Sequence, residues 1–309
     1  MKKGCSVGGY GKCGKKKEKK CGDKVIWGKG LCLSFVCFYV ILLALKMDIQ
    51  NLSWNETLLK RKNNKLFPKS IRGILIGKSN CGKTTLLLNL LLREGWLDYD
   101  SLQIFGKSLF QPEYKIIKKA FEEGVSKESI LRLFENKEEI MNNNVCPYKL
   151  LEEVAKEVPQ DIKLTDKIQS KFFETGDEVP DPSEISSDRK NLIIFDDLML
   201  EKQNKCESYY IRGRHSNVDC FYLTQNYFKL PRQTIRENAN FICLFKQDLK
   251  NINHIYHDHV STDLSKEEFK KLCKECWDKP YGFVVIDLTS DKNNGKYRSQ
   301  LNNFYFPLS

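Results

Sequence analysis

No uncharged apolar run in the 309-residue chain reaches the ~20 residues that a membrane-spanning helix needs. The longest, Leu31–Leu45, has 15 residues; counting from Val25 across Lys29 only brings it to the lower edge of the range. The body also lacks an excess of charge of one sign. The formal net charge is +11, but residues 1–46 carry 11 lysines against Glu18 and Asp23, which leaves +2 for residues 47–309. Bulk charge therefore says little about what the body binds. A disulfide framework is missing as well. The twelve cysteines are scattered, one of them inside a glycine-rich loop, which points to a reducing compartment. Guanine-reading chemistry of the small-GTPase kind needs Asn-Lys-x-Asp at a strand end. The nearest match, Asn204 Lys205 Cys206 Glu207, ends in Glu and follows a polar run.

What the chain does have is one strong motif. Gly77 Lys78 Ser79 Asn80 Cys81 Gly82 Lys83 Thr84 fits G-x-x-x-x-G-K-[ST]. An apolar run, Ile71–Ile76, precedes it, and Thr85 opens the helical run Thr85–Leu92 behind it, so the context is strand, loop, helix. Gly77 and Gly82 let successive N–H groups turn inward toward phosphate oxygens, and the helix start adds its positive dipole end. Lys83 is expected to reach the β and γ phosphates of ATP, and Thr84 to offer its hydroxyl to Mg²⁺.

Length allows one large α/β domain with appendages. After the loop, Ser101–Ser108 reads as a second strand, and residues 111–157 as helices, including Tyr114–Glu122, Lys127–Asn136 and Tyr148–Val158. Residues 159–189 are charged and broken by Pro159, Pro180 and Pro182, so a long loop or insertion is predicted. Asn191–Asp197 is an apolar strand ending in two carboxylates. Alone this is a common turn start. Downstream of a phosphate loop, and expected in the strand beside it, Asp196 suits the Mg²⁺ role and Asp197 the orientation of attacking water.

Val218–Leu223 forms the next strand and runs into Thr224 and Gln225, an amide at a carboxyl end, where ligands of open α/β sheets gather. Ahead of it, Arg212 and Arg214 are candidates for an arginine finger reaching a neighbouring subunit, Arg214 before Arg212. Phe241–Phe245 and Tyr281–Leu288 are further strands, with a helix pair between them through Trp277, and the tail from Tyr297 to Pro307 offers an edge strand. Cys273 and Cys276, with His254, His257 and His259 upstream, have zinc-like spacing. The helix Ser265–Trp277 nevertheless places both thiols on one apolar face with Phe269 and Leu272, so core packing accounts for them.

Taken in order, Gly77–Thr84, Ile193–Asp197, Arg214 His215 before the strand ending in Thr224 Gln225, Pro231, Arg236 Glu237 Asn238 and Tyr281–Leu288 resemble the genome-packaging ATPases of poxvirus-like viruses and Polinton/Maverick-type elements, within the FtsK–HerA group. The resemblance spans roughly residues 68–290. It implies an α/β fold of RecA-like P-loop NTPase type, with a central, mostly parallel sheet and a helical insertion after the second strand. It also implies a homo-oligomeric ring that hydrolyses ATP with Mg²⁺ and pumps double-stranded DNA into a capsid, working with a capsid or portal component in the cytoplasm or nucleus. Residues 77–85 would bind the nucleotide, Thr84 and Asp196 serve Mg²⁺, Asp197 activate water, Gln225 sense the γ-phosphate and Arg214 act in trans. Asp197 stands where many relatives carry Glu, one methylene longer.

Residues 1–30, rich in Lys, Gly and Cys, read as a disordered basic arm. The lysines ahead of residues 31–46 would hold the N-terminus in the cytosol and put an ATP site across the membrane, so a single-pass anchor conflicts with the motif. An interfacial or re-entrant anchor, a basic arm with a packing helix, and an upstream extension stay open. The last is preferred, with the working protein starting near Met47, residues 47–67 as linker and 291–309 as tail. Two other functions stay open too. One is a cellular-type DNA translocase or helicase of the same superfamily. The other is a membrane-tethered nucleotide-binding protein without DNA-dependent turnover.

Overall fold

Among the described residues nine strands form one sheet. A computed structural model describes residues 62–136 and 168–305. The basic arm, the apolar segment 31–46 and the helix expected over Tyr148–Val158 lie outside these described residues. In chain order the elements are β1 Arg72–Ile76, α1 Lys83–Leu92, β2 Ser101–Gly106, α2 Pro112–Glu122, α3 Lys127–Glu135, β3 Gln169–Phe173, β4 Asn191–Asp196, α4 Asn204–Arg212 and β5 Val218–Thr224. They are followed by β6 Phe241–Phe245, α5 Leu249–Ile255, α6 Lys266–Trp277, β7 Phe283–Asp287, β8 Tyr297–Ser299 and β9 Asn303–Phe304.

Across the sheet the order is β3-β2-β4-β5-β1-β6-β7-β8-β9. Strands β3, β2, β4, β5, β1 and β6 run parallel. β7, β8 and β9 turn the far side antiparallel. The inner strands are apolar throughout because both faces are covered, as parallel sheets require. Leu75, Ile104, Ile194 and Leu223 point to one face, where Leu87, Leu91, Ile117 and Ile130 of α1, α2 and α3 pack. Ile74, Ile76, Ile193 and Tyr222 point to the other, against Cys206 and Tyr210 of α4, Ile252 of α5 and Phe269 and Leu272 of α6. Cys273 and Cys276 are buried in this second layer, as the apolar face of α6 predicted. A capping box, in which the Ser265 side chain accepts from the Glu268 backbone and Glu268 accepts from the Ser265 N–H, fixes where α6 begins.

Two expectations are corrected. The stretch 159–189 is not all loop, since Gln169–Phe173 adds a parallel edge strand to β2. Its residues are half-buried or exposed, so polar side chains are tolerated and the apolar run that marks an inner strand is missing. The carboxylate-bearing β4 is not the neighbour of β1 either. β5 lies between them, pairing Ile76 with Thr224 on one side and Asp196 with Leu223 on the other. Both β4 and β5 are fully buried, and nothing in their composition says which is nearer the phosphate loop.

The tail is built into the sheet. Arg298 on β8 is buried and donates to Asp287 Oδ2 of β7 at 2.8 Å and to the Leu66 carbonyl at 2.8 Å. Among the described residues no helix is long and apolar enough to cross a membrane.

Candidate nucleotide and metal site

All six parallel strands deliver their carboxyl ends to one edge of the sheet, and the phosphate loop leaves β1 there. Gly77 is required by crowding. A Cβ at this position would lie 2.3 Å from the Cys81 sulfur and 2.8 Å from Phe245 Cβ. Gly82 is required by conformation, with φ 105° in the left-handed region. Asn80 shares that region at φ 60°. Together they curl the chain into the start of α1, whose first turn has no side-chain cap. The first N–H groups of a helix lack intrahelical acceptors, so this turn is an anion cradle.

The Lys83 ammonium lies back across the loop, donating to the Gly77 carbonyl at 2.7 Å and the Lys78 carbonyl at 2.9 Å. It is thus already positioned over the cradle. Cys81 turns the other way. Its half-buried sulfur packs toward the core beside Phe245, and burial pushes its pKa up, so it serves the loop's shape. Lys78 contributes its carbonyl and leaves its side chain exposed.

A cavity of about 390 Å³ collects the remaining candidates. Ser79, Asn80, Gly82, Lys83, Thr84 and Thr85 form one wall, and Asp196, Asp197 and Gln225 the other. Asp196 is buried, and burial, followed by the nearby Asp197 charge, pushes its pKa up, while Tyr114 and Lys83 pull it down. Asp197 follows directly with φ 55° and donates its N–H to the Leu223 carbonyl at 3.2 Å, which turns its carboxylate into the cavity. Gln225 is exposed at the β5 end and accepts from Ser79 Oγ at 3.4 Å. Behind it Gln247 donates to the Gln225 carbonyl at 3.1 Å, and Asn251 donates to Gln247 at 3.2 Å. The ends of β5 and β6 are joined through these amides.

Sequence reasoning missed Tyr114. Its buried hydroxyl donates to Asp196 Oδ2 at 2.6 Å and also meets Thr84, the other expected metal ligand. The residue looks like any apolar position on the inner face of α2; only the loop linking β2 to α2 brings it to the site. Glu113, next to it, lines the same cavity.

The donor set suits Mg²⁺. A hydroxyl and two carboxylates are hard oxygen ligands, and Mg²⁺ keeps most of its water, taking one or two carboxylates together with substrate phosphates. The cradle, Lys83 and this acidic wall can together hold a nucleoside triphosphate with its metal.

No protein-family model and no curated protein matches the sequence. Solved structures do. The genome-packaging NTPase B204 of Sulfolobus turreted icosahedral virus 2, in complex with sulfate, is similar with a TM-score of 0.43 and 12% identity over 78% of this chain and 98% of that one. Its complex with AMPPCP gives 0.41 and 11% over 71% and 93%. VirB4 of Thermoanaerobacter pseudethanolicus gives 0.40 and 10% over 78% and 90%. At scores this low the likeness carries no weight of its own; the P-loop assignment rests on the strand order and the geometry of Gly77–Thr84.

Arg214 is the one catalytic candidate that is not brought to the cavity. It lies before β5, at the amino end of the strand whose carboxyl end bears Gln225, about 20 Å away along the strand. It is exposed and has no carboxylate partner among the described residues. Arg212, by contrast, is paired with Asp181 at 2.7 Å.

Proposed function

We propose that this chain is a magnesium-dependent ATPase that moves double-stranded DNA, packaging a viral or virus-derived genome into a capsid inside the cell. The observation that carries the reading is a division of labour along β5. Its carboxyl end joins Lys83, Thr84, Asp196 and Asp197 around one cavity, while its amino end carries the exposed Arg214, whose Nε donates to His215 Nε2 at 3.4 Å and which has no carboxylate partner among the described residues.

Lys83 and the first-turn N–H groups hold the phosphates. Mg²⁺, when bound through Thr84 and Asp196, neutralises charge on the phosphate oxygens. Asp197 orients the attacking water and takes its proton, and Gln225 senses whether the γ-phosphate is present. Phosphoryl transfer needs positioning and charge neutralisation more than covalent help. Arg214 lies at the opposite end of β5 from its own cavity, so in this reading it acts on a neighbour's γ-phosphate in a ring, and hydrolysis then depends on assembly.

DNA would be held through its backbone, without sequence reading and with steep salt dependence. Lys229 is exposed on the loop after β5 and is a cation available for it, whereas Arg232, also exposed, is paired with Glu237 at 3.2 Å. Arg236 on the same loop is not available, because it is buried against Asp258 at 2.5 Å.

The test is ATP hydrolysis by the full chain, with and without linear double-stranded DNA, at several salt concentrations and beside Lys83→Ala. Turnover that rises with DNA, weakens with salt and vanishes in the variant supports the motor. ATP binding with no DNA-dependent turnover would overturn DNA translocation and leave a nucleotide-binding protein.

A further inference from the structure

A second cavity, of about 400 Å³, opens beside the first and shares Gly82, Thr85 and Tyr281 with it. Its character is different. Trp96, Phe245, Tyr281 and Phe283 give it aromatic walls, and Leu86 and Leu90 of α1 close its floor. Gln300 and Asn302 bring amides to its rim. Its volume falls within the ~300–1,000 Å³ of small-molecule sites, and such sites are mainly apolar with a few polar groups that fix orientation.

Two backbone outliers converge on this cavity. Tyr281 has φ 55° and Gln300 φ 57°. The left-handed region is unfavourable for residues with a side chain, most of all bulky ones. Tyr281 is moreover 69% exposed, so the ring gains little burial in exchange. Its position is nevertheless enforced. The Gly282 N–H donates to the Lys279 carbonyl at 3.0 Å, and a Cβ at Gly282 would lie 1.9 Å from the Cys276 carbonyl, so the turn is clamped against the end of α6. The clamp brings the tyrosine ring up to Gly82, where a Cβ would meet it at 3.0 Å. Gln300 is fixed too, its N–H donating to the Phe283 carbonyl at 2.9 Å. Strain that holds an exposed aromatic ring at the mouth of a site is a mark of ligand binding.

We infer that this second cavity receives the purine base of the nucleotide, with Tyr281 stacking on it and the amides at the rim meeting its edge. The inference rests on the nucleotide reading above. Both cavities are reached from the same first turn of α1, so a ligand with its phosphates on Lys83 and Thr84 has its base directed past Gly82 and Thr85 toward the aromatic walls. The amides offer donors and acceptors alike, so they suit adenine and guanine equally. The aromatic walls favour the larger bicyclic base over a pyrimidine.

The test compares binding of ATP and of inorganic tripolyphosphate, each with Mg²⁺, to the full chain and to Tyr281→Ala and Tyr281→Phe. Stacking on an aromatic ring makes the expected loss roughly 10-fold or more in ATP affinity for Tyr281→Ala, with tripolyphosphate affinity unchanged and ATP affinity restored in Tyr281→Phe. Equal losses for both ligands, or no loss for either, would overturn the inference; the second result is expected if a protein segment fills the cavity instead. Should Tyr281→Ala not fold, the Trp96 emission, taken as the difference between the native chain and Trp96→Phe, decides. A change with ATP but not with tripolyphosphate supports the base site, and any other pattern removes it. A native chain that binds neither ligand overturns the nucleotide reading together with this one.

Discussion

The Tyr114 hydroxyl donates to Asp196 Oδ2 at 2.6 Å, joining the start of α2 to the carboxylate at the end of β4. Burial and the adjacent carboxylate keep the tyrosine pKa far above its usual value, so it remains a donor throughout the physiological range. Its bond lowers the pKa of Asp196, against a larger upward push from burial. Tyr114→Phe is therefore expected to move the acid limb of the hydrolysis pH profile upward, and to raise the Mg²⁺ needed for half-maximal turnover by about 10-fold, the usual scale for a partner behind a metal ligand. Titrating Mg²⁺ at several pH values checks both. An unchanged profile would mean that the tyrosine only fills space.

The raised pKa of Asp196 has a consequence for stability. The folded state holds this proton more tightly than the unfolded chain, so folding loses stability as pH rises from the ordinary carboxylate range through the raised value. Asp196→Asn removes that cost and keeps an acceptor for Tyr114. In the absence of Mg²⁺ the variant should melt a few degrees above the native chain at neutral pH, each ~1 kcal/mol giving about 2–4 °C at this size. The gap should close at acid pH, while Mg²⁺-dependent hydrolysis is lost. Melting curves against pH would reveal a gap of the wrong sign.

The two arginines ahead of β5 separate by their partners. Arg212→Ala loses only an exposed, solvent-screened ion pair with Asp181 and should hydrolyse ATP normally. Arg214→Ala should bind ATP normally yet lose about 10³-fold or more in turnover, the scale of an arginine finger. Mixing Arg214→Ala with Lys83→Ala subunits should restore activity, since the second supplies the arginine and the first the intact site. Failure of the mixture to exceed either variant alone would place the arginine's role elsewhere.

His259 accepts or donates at 2.7 Å to the Tyr227 hydroxyl, beside the Arg236 and Asp258 pair. Burial lowers its pKa to about 4, with Asp258 opposing and Arg236 and Lys296 adding to the shift. The unfolded chain takes up this proton first, so stability is intact above the normal histidine range and falls as pH drops toward 4. At most about 3 kcal/mol is involved. His259→Gln should flatten that part of the stability profile. Denaturant midpoints between pH 7 and pH 4 give the comparison.

Most of the sheet was legible because its strands are short, apolar and flanked by turns. Asn191–Asp196, Val218–Thr224, Phe241–Phe245 and Phe283–Asp287 are buried along their whole length, and Arg72–Ile76 in all but its first residue. The edge strand Gln169–Phe173 was hidden by its polar face. The placement of β5 between β1 and β4 was hidden for a different reason, since order along a chain does not give order across a sheet. The phosphate loop, Asp196, Asp197 and Gln225, which the fold gathers at one cavity, were legible as candidates because their chemistry is tied to strand ends. Tyr114 and Tyr281 were not, because an aromatic residue near a helix or turn carries no sign of the cavity it will face.

Arg298 has one further consequence. Its guanidinium holds the Leu66 carbonyl just ahead of the first strand and Asp287 on the seventh, so the incoming chain and the tail are fastened at one point. The last strands are therefore a closing latch for the whole core. A shortened version ending before Tyr297 would leave Asp287 buried without its counter-ion and Leu66 without its donor, a loss on the scale of ~3–5 kcal/mol for the stranded charge alone. Tags and fusions belong beyond Phe304, and any boundary drawn for this domain has to enclose both ends of the latch.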